Sequence, residues 1–173
     1  MEKKVMTHVQ KGLLVSLILI VIGIAGYFTK LFEQSWFSWA SNGILCIAVI
    51  WGCVTYANQM NGQVTFGNVF THGFKMSVVI ALILIVWVIL AMTVLFPEMK
   101  DKSLEMARQR MEERGNLSDS QIEQGVEFTK KFFIPFAIGG TLLGTLIFGT
   151  VASLIGAAVA KKKPVNPLDQ MAA

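Results

Sequence analysis

Four stretches of this chain, Gly12–Thr29, Phe37–Met60, Met76–Phe96 and Phe132–Ala160, contain no Asp, Glu, Lys or Arg. An α-helix rises about 1.5 Å per residue, so about 20 residues cross a hydrocarbon core about 30 Å thick. All four runs are close to that length or above it. They are apolar around most of the helical circumference, as lipid demands, and they lack the alternation of a membrane β-barrel strand. The expected fold class is therefore all-α: a polytopic membrane bundle with spans over about 12–28, 37–57, 76–96 and 132–160. The chain reads as a single membrane domain, residues 1–173.

Charge is segregated into the segments between these runs. Only 15% of the residues are charged, against roughly 25% in an ordinary soluble domain. The net charge of +4 does not point to nucleic acid. Lys3, Lys4 and Lys11 at one end, and Lys161, Lys162 and Lys163 at the other, flank apolar runs, where cations orient spans and meet anionic headgroups. The expected partner is the lipid bilayer. The first run has a basic start like a signal peptide, but Tyr27, Phe28, Lys30 and Phe32 follow it in place of a small-residue cleavage site. An uncleaved first span is expected.

Small residues mark candidate helix-packing faces. Lipid is as apolar as a leucine side chain, so membrane helices associate by close backbone approach, which Gly, Ala and Ser permit. Gly12, Ser16, Gly23 and Gly26 recur along the first span. The fourth span carries Gly140 and Gly144 as a GxxxG pair, with Ala152 and Gly156 further on. The side bearing Gly140, Gly144, Ala152 and Gly156 is expected to be the closest helix–helix contact, with the first span as its internal partner or a second copy of the chain as the alternative.

Trp36 and Trp39 open the second span and are expected at the membrane–water interface, which tryptophan favours. Phe66, Val69, Phe70 and Phe74 form one helical stripe. It predicts a short interfacial helix before the third span, capped by Thr65, with Phe66, Val69 and Phe70 toward acyl chains or the bundle end and Asn68, His72 and Lys75 toward water. Gly62 suits a helix stop. Pro97–Lys131 is a charged insert with seven Lys/Arg and eight Asp/Glu. Leu104, Ala107 and Met111 give one helical stripe, and Ser118-Asp119-Ser120-Gln121 fits a capping box for a second helix. The tail after Ala160 carries Pro164 and Pro167 and is expected to be extended.

Several segments together resemble an uncharacterised family of four-helix bacterial inner-membrane proteins, found mainly in Bacteroidetes and known as a domain of unknown function. The resemblance rests on Gly62-Gln63-Val64-Thr65-Phe66-Gly67-Asn68-Val69-Phe70, on the helix Ser118–Lys131, and on Lys161-Lys162-Lys163-Pro164. It covers almost the whole chain. It implies four membrane helices and assigns no residue a role.

No run contains an ionisable group, and such groups at depth are the usual mark of membrane enzymes and ion-coupled transporters. No catalytic, cofactor-binding or metal residues are therefore expected, and the protein is expected not to be an enzyme. Cys46 and Cys53 read as apolar packers. A two-histidine metal site would require His8 and His72 to meet and further ligands to join them. Four spans put both termini on one side. That side holds seven Lys/Arg and the other eight, but the terminal clusters are compact and juxtamembrane, so cytoplasmic termini are expected. The expected role is association, as a homo-oligomer or a subunit of a membrane complex. The alternative is a small channel or transporter for a neutral or weakly polar solute.

Overall fold

The structure, a computed structural model, describes residues 6–113 and 115–163. Among them every regular element is helical: α1 (His8–Phe28), a 3₁₀ turn (Leu31–Glu33), α2 (Ser35–Gln59), α3 (Phe66–Leu90) running into a π-helical turn (Ala91–Leu95), α4 (Glu98–Glu113), α5 (Asp119–Lys131) and α6 (Phe133–Val159). Four helical segments are long and apolar enough to cross a membrane: His8–Phe28, Trp36–Gln59, Phe66–Leu95 and Phe133–Val159. The expected four-span, all-α class is the one found. Lys3, Lys4, Arg114 and the tail with Pro164 and Pro167 lie outside the described residues.

The chain forms two compact units, one from the residues up to Ile83 together with those from Leu143 onward, the other from Leu84–Leu142. The first unit contains α1, α2, most of α3 and the larger part of α6. Its helices begin and end where local chemistry dictates. Thr7 and Gln10 close a capping box: the Gln10 N–H donates to Thr7 Oγ1 at 3.2 Å, and the Thr7 N–H donates to Gln10 Oε1 at 3.1 Å. This pair satisfies two N–H groups that helix geometry would otherwise leave free. It starts α1 at His8, four residues before the charge-free run.

α2 ends in a Schellman turn. The Asn61 N–H donates to Asn58 O at 3.1 Å and the Gly62 N–H to Ala57 O at 2.8 Å. Both residues are left-handed, with φ of 53° and 80°, a conformation glycine adopts without steric cost. Thr65 caps α3 by accepting from the Asn68 N–H at 3.2 Å.

α3 is one continuous helix from Phe66, so the expected interfacial segment is the first two turns of the third span and not a separate helix. Its inward face is Val69, His72, Gly73, Met76, Ser77 and Ile80. This face touches the other three long helices. A Cβ on Gly12 of α1 would fall 3.0 Å from Val79 Cβ, one on Gly52 of α2 would fall 2.5 Å from Met76 Sδ, and one on Gly149 of α6 would fall 2.5 Å from Ser77 Cβ. Gly73 of α3 lies against Cys53 and Ser153, and Gly156 lies 2.7 Å by the same measure from Cys53 Cβ. Ser16, Ser77 and Ser153 are fully buried and donate back to the carbonyls of Gly12, Gly73 and Gly149. Serine in a membrane helix can meet its hydrogen-bonding need this way without a partner helix.

The expected pairing of α6 with α1 through Gly140 and Gly144 is not found. A Cβ on either glycine would meet nothing within 4 Å, whereas Gly149 packs on α3 and Gly156 on α2. The reason is phase. At about 100° per residue, Gly140 and Gly156 lie about 160° apart on the helix, so the four small residues do not share one face. Gly149, Ala152, Ser153 and Gly156 do share one, and it is the buried one.

In the second unit, α4 and α5 pack through Met111 and Gly125, with Leu104 and Ile122 buried. The helices expected in the charged insert are both present. The Ser118 N–H donates to Gln121 Oε1 at 2.9 Å, as the capping-box reading anticipates. Arg108 Nε donates to Glu112 Oε1 at 3.0 Å. That carboxylate raises the Arg108 pKa above its already high ordinary value. The rings of Phe128 and Phe132 meet at 4.8 Å, and Phe136 lies 5.9 Å from Phe128.

Candidate functional site

In the first unit, α1 and α3 begin where α2 ends. Three successive helical-turn relationships build a polar cluster there. α1 contributes His8 and, three residues on, Lys11. α2 contributes Tyr56 and, four residues back, Gly52. α3 contributes His72 and, four residues on, Met76. One turn rises about 5.4 Å, so the three helices supply an outer layer of His8, Tyr56 and His72 and an inner layer of Lys11, Gly52 and Met76.

The outer layer is held by ring contacts. Tyr56 stacks on His72 with centroids 4.1 Å apart and planes 13° from parallel. His8 meets His72 edge to face at 5.9 Å. His72 is only 8% exposed, and its Nε2 is buried without a hydrogen-bond partner. A buried polar nitrogen without a partner costs free energy, which makes it a candidate for function.

The inner layer holds a cation. Lys11 is fully buried, and its Nζ donates to the Gly52 carbonyl at 3.1 Å. Gly52 lies seven residues before the end of α2, or about 10 Å along the helix axis. Lysines near span ends ordinarily extend toward the headgroups, and this one is buried among the helices. Gly52 lies alongside its stem: a Cβ there would fall 4.0 Å from Lys11 Cδ, an ordinary van der Waals contact, and 2.5 Å from Met76 Sδ, so the missing side chain admits Met76. Among the described residues of this unit the only acidic position is Glu33, beyond the opposite end of α1.

These positions correct two expectations. Lys11 is buried and not a headgroup contact in the basic tail before the first span, and His72 is buried and does not face water. The charge-free runs therefore understate what the spans contain, since Lys11 and His72 are ionisable residues inside them. Ionisable groups are thus present in the spans, contrary to the expectation that none would be found there. One sequence signal was available: Thr7-His8-Val9-Gln10 matches the capping-box pattern and places Lys11 in the first turns of a helix. Nothing in the sequence indicates that its side chain turns inward.

The remaining candidates are distributed as follows. Gly12 lies in the α1–α3 contact and Ser16 is fully buried, whereas a Cβ on Gly23 would meet nothing within 4 Å. Trp36 and Trp39 are exposed at the start of α2, and Trp39 meets the Phe148 ring edge-on at 6.5 Å. Phe66 is exposed, Phe70 half-buried and Val69 fully buried. Two segments that carried the family resemblance meet, since the Lys163 N–H donates to Gly62 O at 2.9 Å and Lys162 Nζ lies 5.1 Å from the centre of the Phe66 ring. Cys53 is buried and donates to Val69 O at 3.7 Å. His8 and His72 do meet, but no group of three His, Cys, Asp or Glu suited to a metal occurs among the described residues.

A family model described as protein of unknown function DUF4199 matches residues 10–162. No curated protein and no solved structure matches the chain.

Proposed function

The chain belongs to the DUF4199 family of proteins of unknown function, and from that premise we propose a non-enzymatic, multi-pass protein of the bacterial inner membrane that acts by association. It forms a homo-oligomer or joins a larger membrane complex, and both termini are cytoplasmic. The observation that carries this reading is the open outer side of α6. Gly140 and Gly144 meet no neighbour, and Leu143, Leu146, Ile147, Thr150 and Val151 line an apolar groove of about 320 Å³ beside them. Glycine lets a second helix approach until dispersion contacts accumulate.

The channel reading has less support. It calls for free hydroxyls around a common path, whereas Ser77 and Ser153 are committed to carbonyls of their own helix, and Gly149 closes on Ser77. For catalysis, no carboxylate of the described unit lies near the Lys11 and His72 cluster to share acid–base work.

Single cysteines at Gly140, Gly144 and Ile147, in a background lacking Cys46 and Cys53, test association by oxidative cross-linking in membranes. Cross-links to a second copy or to one co-purifying protein, strongest at these positions and weak at Leu13 of α1, support the reading. Uniform absence of cross-links, with a monomer in gentle detergent, overturns it. A reporter active only outside the cytoplasm, placed after Ala173 or near Ser118, tests orientation. Activity at Ala173 alone would invert the topology.

A further inference from the structure

We propose that the polar end of the four-helix unit is a binding site for a phosphate group, carried either by a small soluble ligand or by an anionic lipid headgroup. A cavity of about 390 Å³ opens there, within the size range of ligand pockets. Its polar lining comes from Thr7, His8, Asn68, Thr71, His72 and Lys75, with the Tyr56 ring forming one wall. Every charged or ionisable side chain in this lining other than the tyrosine is a cation or an imidazole, and none is acidic.

Three further features give the same sign. Lys11 lies one turn beneath His8 and has a carbonyl, not a carboxylate, as its partner. α1 begins at this cavity, and the first turn of a helix carries a partial positive charge and free N–H groups. Its His8 and Val9 amides are not used by the Thr7–Gln10 capping box, which engages the amides of Thr7 and Gln10. The donor-rich wall, free of carboxylates, therefore complements a tetrahedral anion with several oxygens. Tyr56 stacked on His72 holds the imidazole plane fixed beside the cavity, so its ring orientation need not be selected on binding.

Metal binding is the rival for the histidine pair. Two imidazoles with centroids 5.9 Å apart supply only two ligands, whereas Lys11 and Lys75 add a charge that repels a metal cation. The same charge favours phosphate. Lys75 and Asn68 are exposed on the cavity side of α3, so their substitution does not disturb packing.

The test uses the full chain in detergent and in nanodiscs. Inorganic phosphate, titrated against chloride at equal ionic strength, is followed by thermal shift and calorimetry. In parallel, native mass spectrometry records retention of phosphatidylglycerol against phosphatidylcholine. The Lys75→Glu and Asn68→Asp variants are each expected to weaken the effect at least tenfold. Phosphate-specific stabilisation lost in both variants supports a soluble ligand. Selective phosphatidylglycerol retention lost in both variants, without a phosphate effect, supports the headgroup. No preference for either, or a preference that both variants keep, overturns the proposal. Stabilisation by zinc alone, abolished by His8→Ala, also overturns it. The outcome is independent of α6 association, which the cross-linking experiment reads separately.

Discussion

Lys11 reaches from α1 across to α2 and donates to the carbonyl oxygen of Gly52 at 3.1 Å. Lys11 lies in the first turns of α1, and no carboxylate among the described residues of its unit pairs with it. The Gly52 carbonyl dipole is the partner that accommodates it. The same carbonyl also accepts from Thr55 Oγ1 at 3.1 Å, so it is not left without a partner if the lysine is removed.

That arrangement predicts the result of Lys11→Met. Methionine keeps the length and the apolar stem, removes the charge, and leaves Gly52 O bonded to Thr55. Replacement of a buried ionic group by an apolar one of similar volume is often neutral or stabilising. The thermal midpoint in detergent is expected to be unchanged or higher. Lys11→Ala is expected to lower stability by about 2–4 kcal/mol, as large-to-small core changes do. A midpoint for Lys11→Met as far below the wild type as that of Lys11→Ala would show that the charge itself holds the bundle.

The glycines of α6 divide into two classes. Gly149 and Gly156 face Ser77 and Cys53 at distances that a Cβ cannot share without a shift, whereas Gly140 and Gly144 face open space. Gly149→Ala and Gly156→Ala are expected to cost about 1–3 kcal/mol each, the usual range for overpacking. Gly144→Ala is expected to leave the folded monomer unchanged. Unfolding curves for the three variants check this ordering. Equal curves would mean that α6 moves away from α2 and α3 at little cost.

Gly62 combines a left-handed backbone with a close neighbour. Its φ is 80°, and an added Cβ would fall 3.3 Å from Lys163 Cγ. Gly62→Ala is expected to destabilise by about 1–2 kcal/mol, the cost of a left-handed non-glycine residue. Gly62→Asn is expected to be milder, because asparagine tolerates that conformation better. Hydrogen exchange at the Lys163 amide, whose bond to Gly62 O depends on this turn, should accelerate in the same order.

The Thr7–Gln10 box predicts a local effect. Thr7→Ala removes the acceptor of the Gln10 amide and is expected to cost about 1 kcal/mol. Amide exchange should rise over the first turn of α1 and leave the Ser16 region unaffected. If phosphate binds where proposed, its affinity should fall in this variant, since His8 and the open amides of α1 belong to that turn.

The sequence by itself determined the class. Four long apolar runs with charge confined between them allow little except a helical bundle in a bilayer, because lipid admits only helices and closed barrels, and these runs lack a barrel strand's alternation. Local signals were equally legible. Thr65 caps α3, Gly62 ends α2, and Ser118 with Gln121 starts α5, since each depends on residues only a few positions apart. The inward face of each helix was not legible. In water, hydrophobicity separates inside from outside, but in lipid both sides are apolar, so the Phe66, Val69 and Phe70 stripe carried no information about which side is packed. Tertiary structure alone decided that α3 turns His72 inward with Met76 and Ser77, that Gly149 and Gly156 are the packing glycines of α6, and that Lys11 bends toward Gly52. Each of these depends on the shape of a neighbouring helix. Lys11 and the Gly52 carbonyl that accepts from it are 41 residues apart in the chain, so only the packing of α1 on α2 brings them together.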